Sequence, residues 1–160
     1  MIRMFGSCLI LLAAVLYLLE EKRERQRQER TVQDLLAAVQ SIETAIRWEK
    51  QTLPDSIAEQ EKRKYAGVYF RKISKLLHSN IALQYAWEKS FIQIKPVEIS
   101  QILCDISLSG DSTFLIDNLS FAAAKIREFQ AQKRAEQATK QKLKVTAALS
   151  GAGAIIVLLL

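Results

Sequence analysis

The chain has 160 residues, with 23 Lys and Arg against 17 Asp and Glu, one His, two Cys, five Gly and two Pro. So few His, Cys and Gly leave no spacing for a metal site, a disulfide framework or a phosphate loop, and neither an enzyme nor a cofactor is expected. The net charge of +6 raises the question of nucleic acid, but acidic and basic residues are interspersed, without an aromatic-studded basic groove or a recognisable binding module.

The first predicted element is an apolar run over 4–19, and a second such run closes the chain over 145–160. Each is about 24 Å long as helix, short of the roughly 30 Å hydrocarbon core of a bilayer. Arg3 and Lys144 must therefore snorkel, or the bilayer must thin. A cleaved export signal is the rival for the first run. Where small residues should mark its cleavage, the chain has Leu18-Leu19-Glu20-Glu21-Lys22-Arg23, and Cys8 comes too early to follow a lipoprotein signal. Retention as an anchor is expected, with Tyr17 as an interfacial aromatic. Every Lys and Arg except Arg3 lies between the two runs. Because basic flanks stay on the cytoplasmic side, both termini are expected to face away from the cytoplasm and the polar middle to lie in it. Arg23, Arg25, Arg27, Lys140, Lys142 and Lys144 are the candidate basic residues at the membrane interface. A re-entrant or surface-lying C-terminal end is the alternative for the second run. Its Ser150, Gly151 and Gly153 either let it pack closely on another helix or reflect loose composition.

The middle reads as all-α, with no strand alternation and with Pro54 and Pro96 both placed where a helix would begin. Val32, Leu35, Leu36, Val39, Ile42 and Ile46 repeat at three-four spacing and give the first long helix one apolar stripe. That helix is expected to run unbroken from the first span, although Thr31 with Asp34 forms a capping-box pattern that would restart it there. After Thr52 the predicted helices are short. One passes through Glu59, and the next carries Tyr69, Phe70, Ile73, Leu76 and Leu77 to a corner at His78-Ser79-Asn80. Asn80 is expected to cap a helix bearing Leu83, Trp87, Phe91 and Ile94, and Pro96 to open one bearing Ile99, Ile102, Leu103 and Ile106. Gly110 should end that helix and Asp111 cap the last, whose Leu115, Leu119, Ala122, Ile126 and Phe129 precede a charged segment. Leu36, Trp87, Phe91, Ile102 and Leu119 are the predicted core anchors.

Two arms, 20–50 and 111–144, would measure about 46 and 51 Å as helix. Equal antiparallel arms return both ends to one membrane face. The expected architecture is thus an all-α helical bundle, with two long antiparallel arms, a cap of shorter helices and flanking transmembrane helices. Its divisions are an N-terminal anchor over 1–19, a cytoplasmic helical domain over 20–144 and a C-terminal transmembrane segment over 145–160. His78, at a predicted helix C-terminus, reads as a dipole-compatible surface residue before a general base. Ser109-Gly110-Asp111-Ser112-Thr113 lacks the second glycine and the lysine of a phosphate loop. Glu43, Glu49, Glu88 and Glu98 have no His or Cys partners at ligand spacing. Cys8 and Cys104 read as small buried hydrophobes, and Tyr69, Phe70, Trp87 and Phe91 as core before a small-molecule pocket. The basic surplus between Lys125 and Lys144 suits anionic lipid headgroups better than phosphodiesters.

The order of an apolar run, a basic stretch, the segment Leu36-Ala37-Ala38-Val39-Gln40-Ser41-Ile42-Glu43-Thr44-Ala45-Ile46, Leu53-Pro54 with Ile57-Ala58-Glu59, Ala86-Trp87-Glu88 with Phe91, and Leu108-Ser109-Gly110-Asp111 ahead of a basic helix and a glycine-containing run resembles the stage III sporulation protein AB family. The resemblance covers nearly the whole chain. It implies a component of the sporulation channel between mother cell and forespore, with a helical domain similar to the cytoplasmic domains of type II secretion platform proteins. The expected partners are a secretion-type ATPase, stage III sporulation protein AA, other sporulation channel subunits and the lipid membrane, with no nucleic acid and no small-molecule substrate. The helical domain is expected in the mother-cell cytoplasm and the termini across the membrane. The residues alone also fit a membrane-tethered regulatory or signalling hairpin that binds a soluble cytoplasmic protein.

Overall fold

Six helices and no strand make up the residues described by the computed structural model, which gives the backbone over 2–159 and side chains at Leu16 and over 19–138. They are α1 (Ile2–Trp48), α2 (Leu53–Gln60), α3 (Gly67–His78), α4 (Leu83–Phe91), α5 (Val97–Cys104) and α6 (Ser112–Leu159). The chain divides into two compact units, 1–123 and 124–160. Among the described residues no helix is long and apolar enough to cross a membrane. The side chains of the two apolar runs, 4–19 and 145–160, lie almost wholly outside the described residues.

α1 is continuous, and the restart at Thr31 does not occur. The Thr31 hydroxyl donates back to the Arg27 carbonyl at 2.9 Å, the bond a mid-helix Thr makes to its own preceding turn. Asp34 is left free to point elsewhere. The helix ends where Lys50 takes a φ of 52° and the Gln51 N–H returns to the Ala45 carbonyl at 3.2 Å. Thr52 then caps α2, accepting from the Asp55 N–H at 3.4 Å, with Pro54 in the first turn where no N–H is needed.

The corner after α3 differs from expectation. Asn80 is not the N-cap of α4, a position held by Ala82. Asn80 instead adopts a φ of 57° and donates its N–H to the Leu77 carbonyl at 3.0 Å, while Ile81 donates to Leu76 at 3.2 Å. This is the paired closure of a Schellman motif, and Asn tolerates the left-handed residue it requires. Gly110 likewise does not end α5, which stops at Cys104. It turns the chain into α6 with a φ of 120°. A Cβ there would sit 2.9 Å from Phe114 Cδ1. Asp111 does cap α6, accepting from the Phe114 N–H at 2.8 Å.

In the first unit α2 lies against α1, α3 against α2, α4 against α3 and α5 against α4. Val32, Leu35, Val39, Ile42 and Ile46 of α1 are buried, as are Ile57, Phe70, Ile73, Ile99 and Leu103. Trp87, Phe91 and Leu119 are fully buried, whereas Leu36 and Ile102 are only half-buried and their neighbours Leu35 and Leu103 go deepest. Both stripes lie where the spacing puts them, with Leu36 and Ile102 at their edges. At the centre the Trp87 and Phe91 rings meet edge to face with centroids 4.7 Å apart, and Phe70 stands 5.7 Å from Phe91 and 6.2 Å from Trp87. Each such ring contributes about 1.5–3 kcal/mol through burial and about 0.5–1.5 more through edge-to-face pairing. Trp87 Nε1 donates to the Leu103 carbonyl at 2.8 Å, so the indole is buried without leaving its N–H unpaired. Gln84 donates to the Ile106 carbonyl at 3.2 Å and accepts from the Leu108 N–H at 2.9 Å, fixing the irregular stretch before α6.

The second unit is the continuation of α6. In it every residue over 131–138 is exposed, Lys133 pairs with Glu136 at 3.7 Å, and the Lys133 ammonium lies 5.5 Å from the Phe129 ring.

Candidate functional site

The segment between α2 and α3 reads Glu61-Lys62-Arg63-Lys64-Tyr65-Ala66 and lies against α1 through polar contacts. Asp34 Oδ2 accepts the N–H groups of both Tyr65 and Ala66 at 2.8 Å, and its Oδ1 meets Arg63 at 3.2 Å. Arg63 also donates to Gln60 Oε1 at 2.6 Å and to the Ala37 carbonyl at 3.1 Å. Burial acts to raise the Asp34 pKa, but the Ala66 and Tyr65 N–H groups together with Arg63 outweigh it and hold the carboxyl below its ordinary value. Gly67 completes the corner. A Cβ on it would lie 2.4 Å from the Glu61 carbonyl oxygen, a backbone atom that cannot move aside cheaply. Arg71 donates to the same carbonyl at 2.7 Å.

This clamp places Lys64 and Tyr65 beside the first polar turns of α1 and forms a half-open groove of about 360 Å³. One wall is Glu24, Arg27, Gln28 and Thr31 of α1, which share a helix face. The other wall is Lys64, Tyr65, Val68 and Tyr69, and Gln93 with Lys95 close the end. Three cations thus face one carboxylate. Arg27, Lys64 and Lys95 enter no ion pair among the described residues. Arg30 donates to the Tyr65 hydroxyl at 3.1 Å and holds it below the ordinary phenol range. The Lys64 ammonium lies 5.6 Å from the Tyr65 ring centroid.

Of the candidate interface residues, Arg23, Arg25 and Arg27 are exposed, and the structure gives them different tasks. Arg25 is paired with Glu21 along the helix, while Arg27 faces the groove. The side chains of Lys140, Lys142 and Lys144 lie outside the described residues. His78 is exposed at the last position of α3 and donates from Nδ1 to the Ser74 carbonyl at 2.6 Å. Cys104 is half-buried, its thiol directed at the Glu88 carbonyl at 3.8 Å, and burial pushes its pKa up, away from a nucleophilic thiolate. Among the described residues no group of three His, Cys, Asp or Glu is placed to hold a metal.

Lys64, Tyr65, Lys95 and the Asp34–Arg63 clamp were not legible as site residues in the sequence. The available signal was the run Lys62-Arg63-Lys64 followed by Tyr65 and ending at Gly67 between two helices. A charge run in a connection ordinarily reads as solvated surface.

The chain belongs to the stage III sporulation protein AB family, whose model matches residues 3–160. It accordingly has a sporulation-related role. No curated protein and no solved structure matches the chain.

Proposed function

We propose that this chain is a non-enzymatic platform of the sporulation channel, anchored by its two terminal apolar runs in the membrane around the forespore. The domain over 20–144 stands in the mother-cell cytoplasm, with the ends of α1 and α6 entering the same membrane. The observation that carries this reading is the extent of the family match, 3–160, which takes in the helical domain and both apolar runs together. The basic residues on the inner flanks of both runs support the orientation.

A secretion-type ATPase, stage III sporulation protein AA, docks on the end of the domain away from the membrane, and the spans contact other channel subunits. Trp48 supports a docking surface there. It is 76% exposed at the end of α1, about 43 Å along the helix from Leu19. An aromatic so placed is the kind of side chain that anchors protein interfaces. Affinity capture of the full chain from sporulating cells tests the reading. The ATPase and channel subunits should be recovered together, and Trp48→Ala should lose the ATPase while keeping the subunits. Recovery of a soluble partner with no channel subunit would favour a tethered regulatory hairpin instead. In topology mapping, a cysteine at position 80 should resist an impermeant reagent in intact cells, and labelling there would refute the orientation.

A further inference from the structure

The groove beside α1 has a charge, an apolar edge and a position along the helix that together select a ligand. Arg27, Lys64 and Lys95, which enter no ion pair among the described residues, line the groove with Glu24, a set suited to a phosphate group. The Tyr65 hydroxyl, Gln28 and Gln93 add neutral hydrogen-bonding groups. A free phosphate would need nothing more. The same groove, however, is edged by Val68, which is 55% exposed, and by the half-buried ring of Tyr69. An amphiphile presents a phosphate and apolar carbon side by side, as this lining does.

Position along α1 selects the same ligand. Glu24 and Arg27 stand about 7 and 12 Å beyond Leu19 along the helix axis. The headgroup layer of one leaflet is about 5–7 Å deep, and an apolar run shorter than the hydrocarbon core draws its flanking turns toward the bilayer. Drawn in by the roughly 6 Å by which the run falls short of the hydrocarbon core, Arg27 comes to about 6 Å from the edge of that core, the level of the lipid phosphates, on the cytoplasmic side where anionic lipid concentrates. Arg25, two residues before Arg27, turns away from the groove and pairs with Glu21, so simple juxtamembrane charge does not distinguish the two arginines but the groove does.

The geometry points to a binding site for the headgroup of an anionic phospholipid, its phosphate held between Arg27, Lys64 and Lys95 and its glycerol and upper acyl carbons along Val68. This deepens the membrane-anchored reading and rests on it. Such a site would fix the rotation of α1 at the membrane, which a featureless apolar anchor leaves undetermined.

The test uses the full chain in maltoside micelles, titrated with short-chain phosphatidylglycerol, phosphatidylcholine, glycerol 3-phosphate and inorganic phosphate, with bound ligand counted by native mass spectrometry. Phosphatidylglycerol should bind at one site and more tightly than the other three. Each cation contributes about a fivefold factor, so Lys64→Gln with Lys95→Gln should weaken that binding about 25-fold. Both lysines are exposed, and an unchanged circular dichroism spectrum confirms that the variant is folded. Lys64→Arg should bind as the wild type does, and Arg25→Gln should leave affinity unchanged. Equal binding of phosphatidylglycerol and phosphatidylcholine, or an unaffected double variant, overturns the proposal. Inorganic phosphate or glycerol 3-phosphate binding as tightly as the lipid overturns it too, making the groove a soluble-phosphate site. Carbonate extraction of membranes separates the two levels of the argument. Release of the chain would refute the anchor itself, whereas a chain that stays in the membrane but shows no phosphatidylglycerol preference would refute only the groove.

Discussion

Around Trp87 the domain is held mainly by packed apolar surface with one buried indole N–H bond, whereas the segment 61–67 is held to α1 by several individual polar atoms at fixed positions. The aromatic centre joins α3, α4 and α5 through Phe70, Trp87, Phe91 and Leu103. The clamp joins α1 to a turn through Asp34 and Arg63. The first region supplies bulk stability. The second supplies placement, because it decides where Lys64 and Tyr65 stand relative to Arg27. The difference teaches that a polar clamp, not the apolar core, shapes the groove beside α1.

The largest effect that would sharpen this contrast is at Trp87. Trp87→Ala empties a fully buried site and should cost about 3–5 kcal/mol in urea denaturation of the full chain followed by circular dichroism. A change below about 1 kcal/mol would mean that the site collapses around the loss, and the aromatic centre would not be the main source of stability.

Gly67→Ala comes next. The added methyl meets the Glu61 carbonyl at 2.4 Å, so the backbone must shift at a cost of about 1–3 kcal/mol. Because that shift loosens the turn carrying Lys64, phosphatidylglycerol affinity should fall as well, although no charge has changed. Trp87→Phe, which keeps a ring at the aromatic centre, should leave that affinity intact. Loss of lipid affinity in the Trp87 variant alone would reverse the assignment of roles.

Asp34→Asn should cost about 1–3 kcal/mol, because one amide oxygen cannot replace a carboxylate that accepts two N–H groups and meets Arg63. The same group gives a pH signature. The folded-state pKa is depressed, so the stability it contributes is present in full above the ordinary Asp value of about 3.9. It is lost as pH falls from there through the lower folded value. The wild type should lose stability more steeply than Asp34→Asn below about pH 4. Parallel acid-unfolding curves would show that the clamp carboxylate contributes nothing of its own.

The two regions were unequally legible in the sequence for a physical reason. Three-four periodicity reports which face of a helix is apolar, and it found the all-α class, Trp87, Phe91, Leu119 and most of the α1 stripe. It puts Leu35 with Leu36 and Ile102 with Leu103 on one face, and only the packing separates the deep Leu35 and Leu103 from the half-buried Leu36 and Ile102. Caps depend on nearby residues, and the sequence marks Asp111 as the cap of α6 and Pro54 as a helix start, as the structure has them. Asp34 was not marked for its role, since its partners lie about thirty residues away and the local pattern with Thr31 offered a nearer explanation. Asn80 shows the same ambiguity in miniature, because Asn favours both helix N-caps and left-handed C-terminal positions. Substitution separates the two roles. Asn80→Gly should be neutral or nearly so, while Asn80→Ser, which would preserve an N-cap, should cost about 1 kcal/mol for the left-handed φ. The reverse order would restore the capping role.

The smallest expected effect compares two ion pairs of the same chemistry, one within α1 and one between α1 and a distant turn. Glu21 with Arg25 and Asp34 with Arg63 are both acid–arginine contacts involving α1. Arg25 and Glu21 are 71% and 43% exposed in their side chains, against 24% and 17% for Arg63 and Asp34. The outer pair sits in water on a helix that would exist without it, so its Coulomb gain is screened and offset by side-chain ordering. The inner pair also receives two backbone N–H groups and an additional carbonyl contact, so breaking it leaves several polar groups unmatched. Arg25→Gln should therefore change stability by about 0.3–0.5 kcal/mol at most, and 0.5 M salt should erase even that difference. Arg63→Gln should remain destabilising in the same salt. If both variants lost their effect together, the clamp would be ordinary surface electrostatics, and the position of Lys64 in the groove would need a different support.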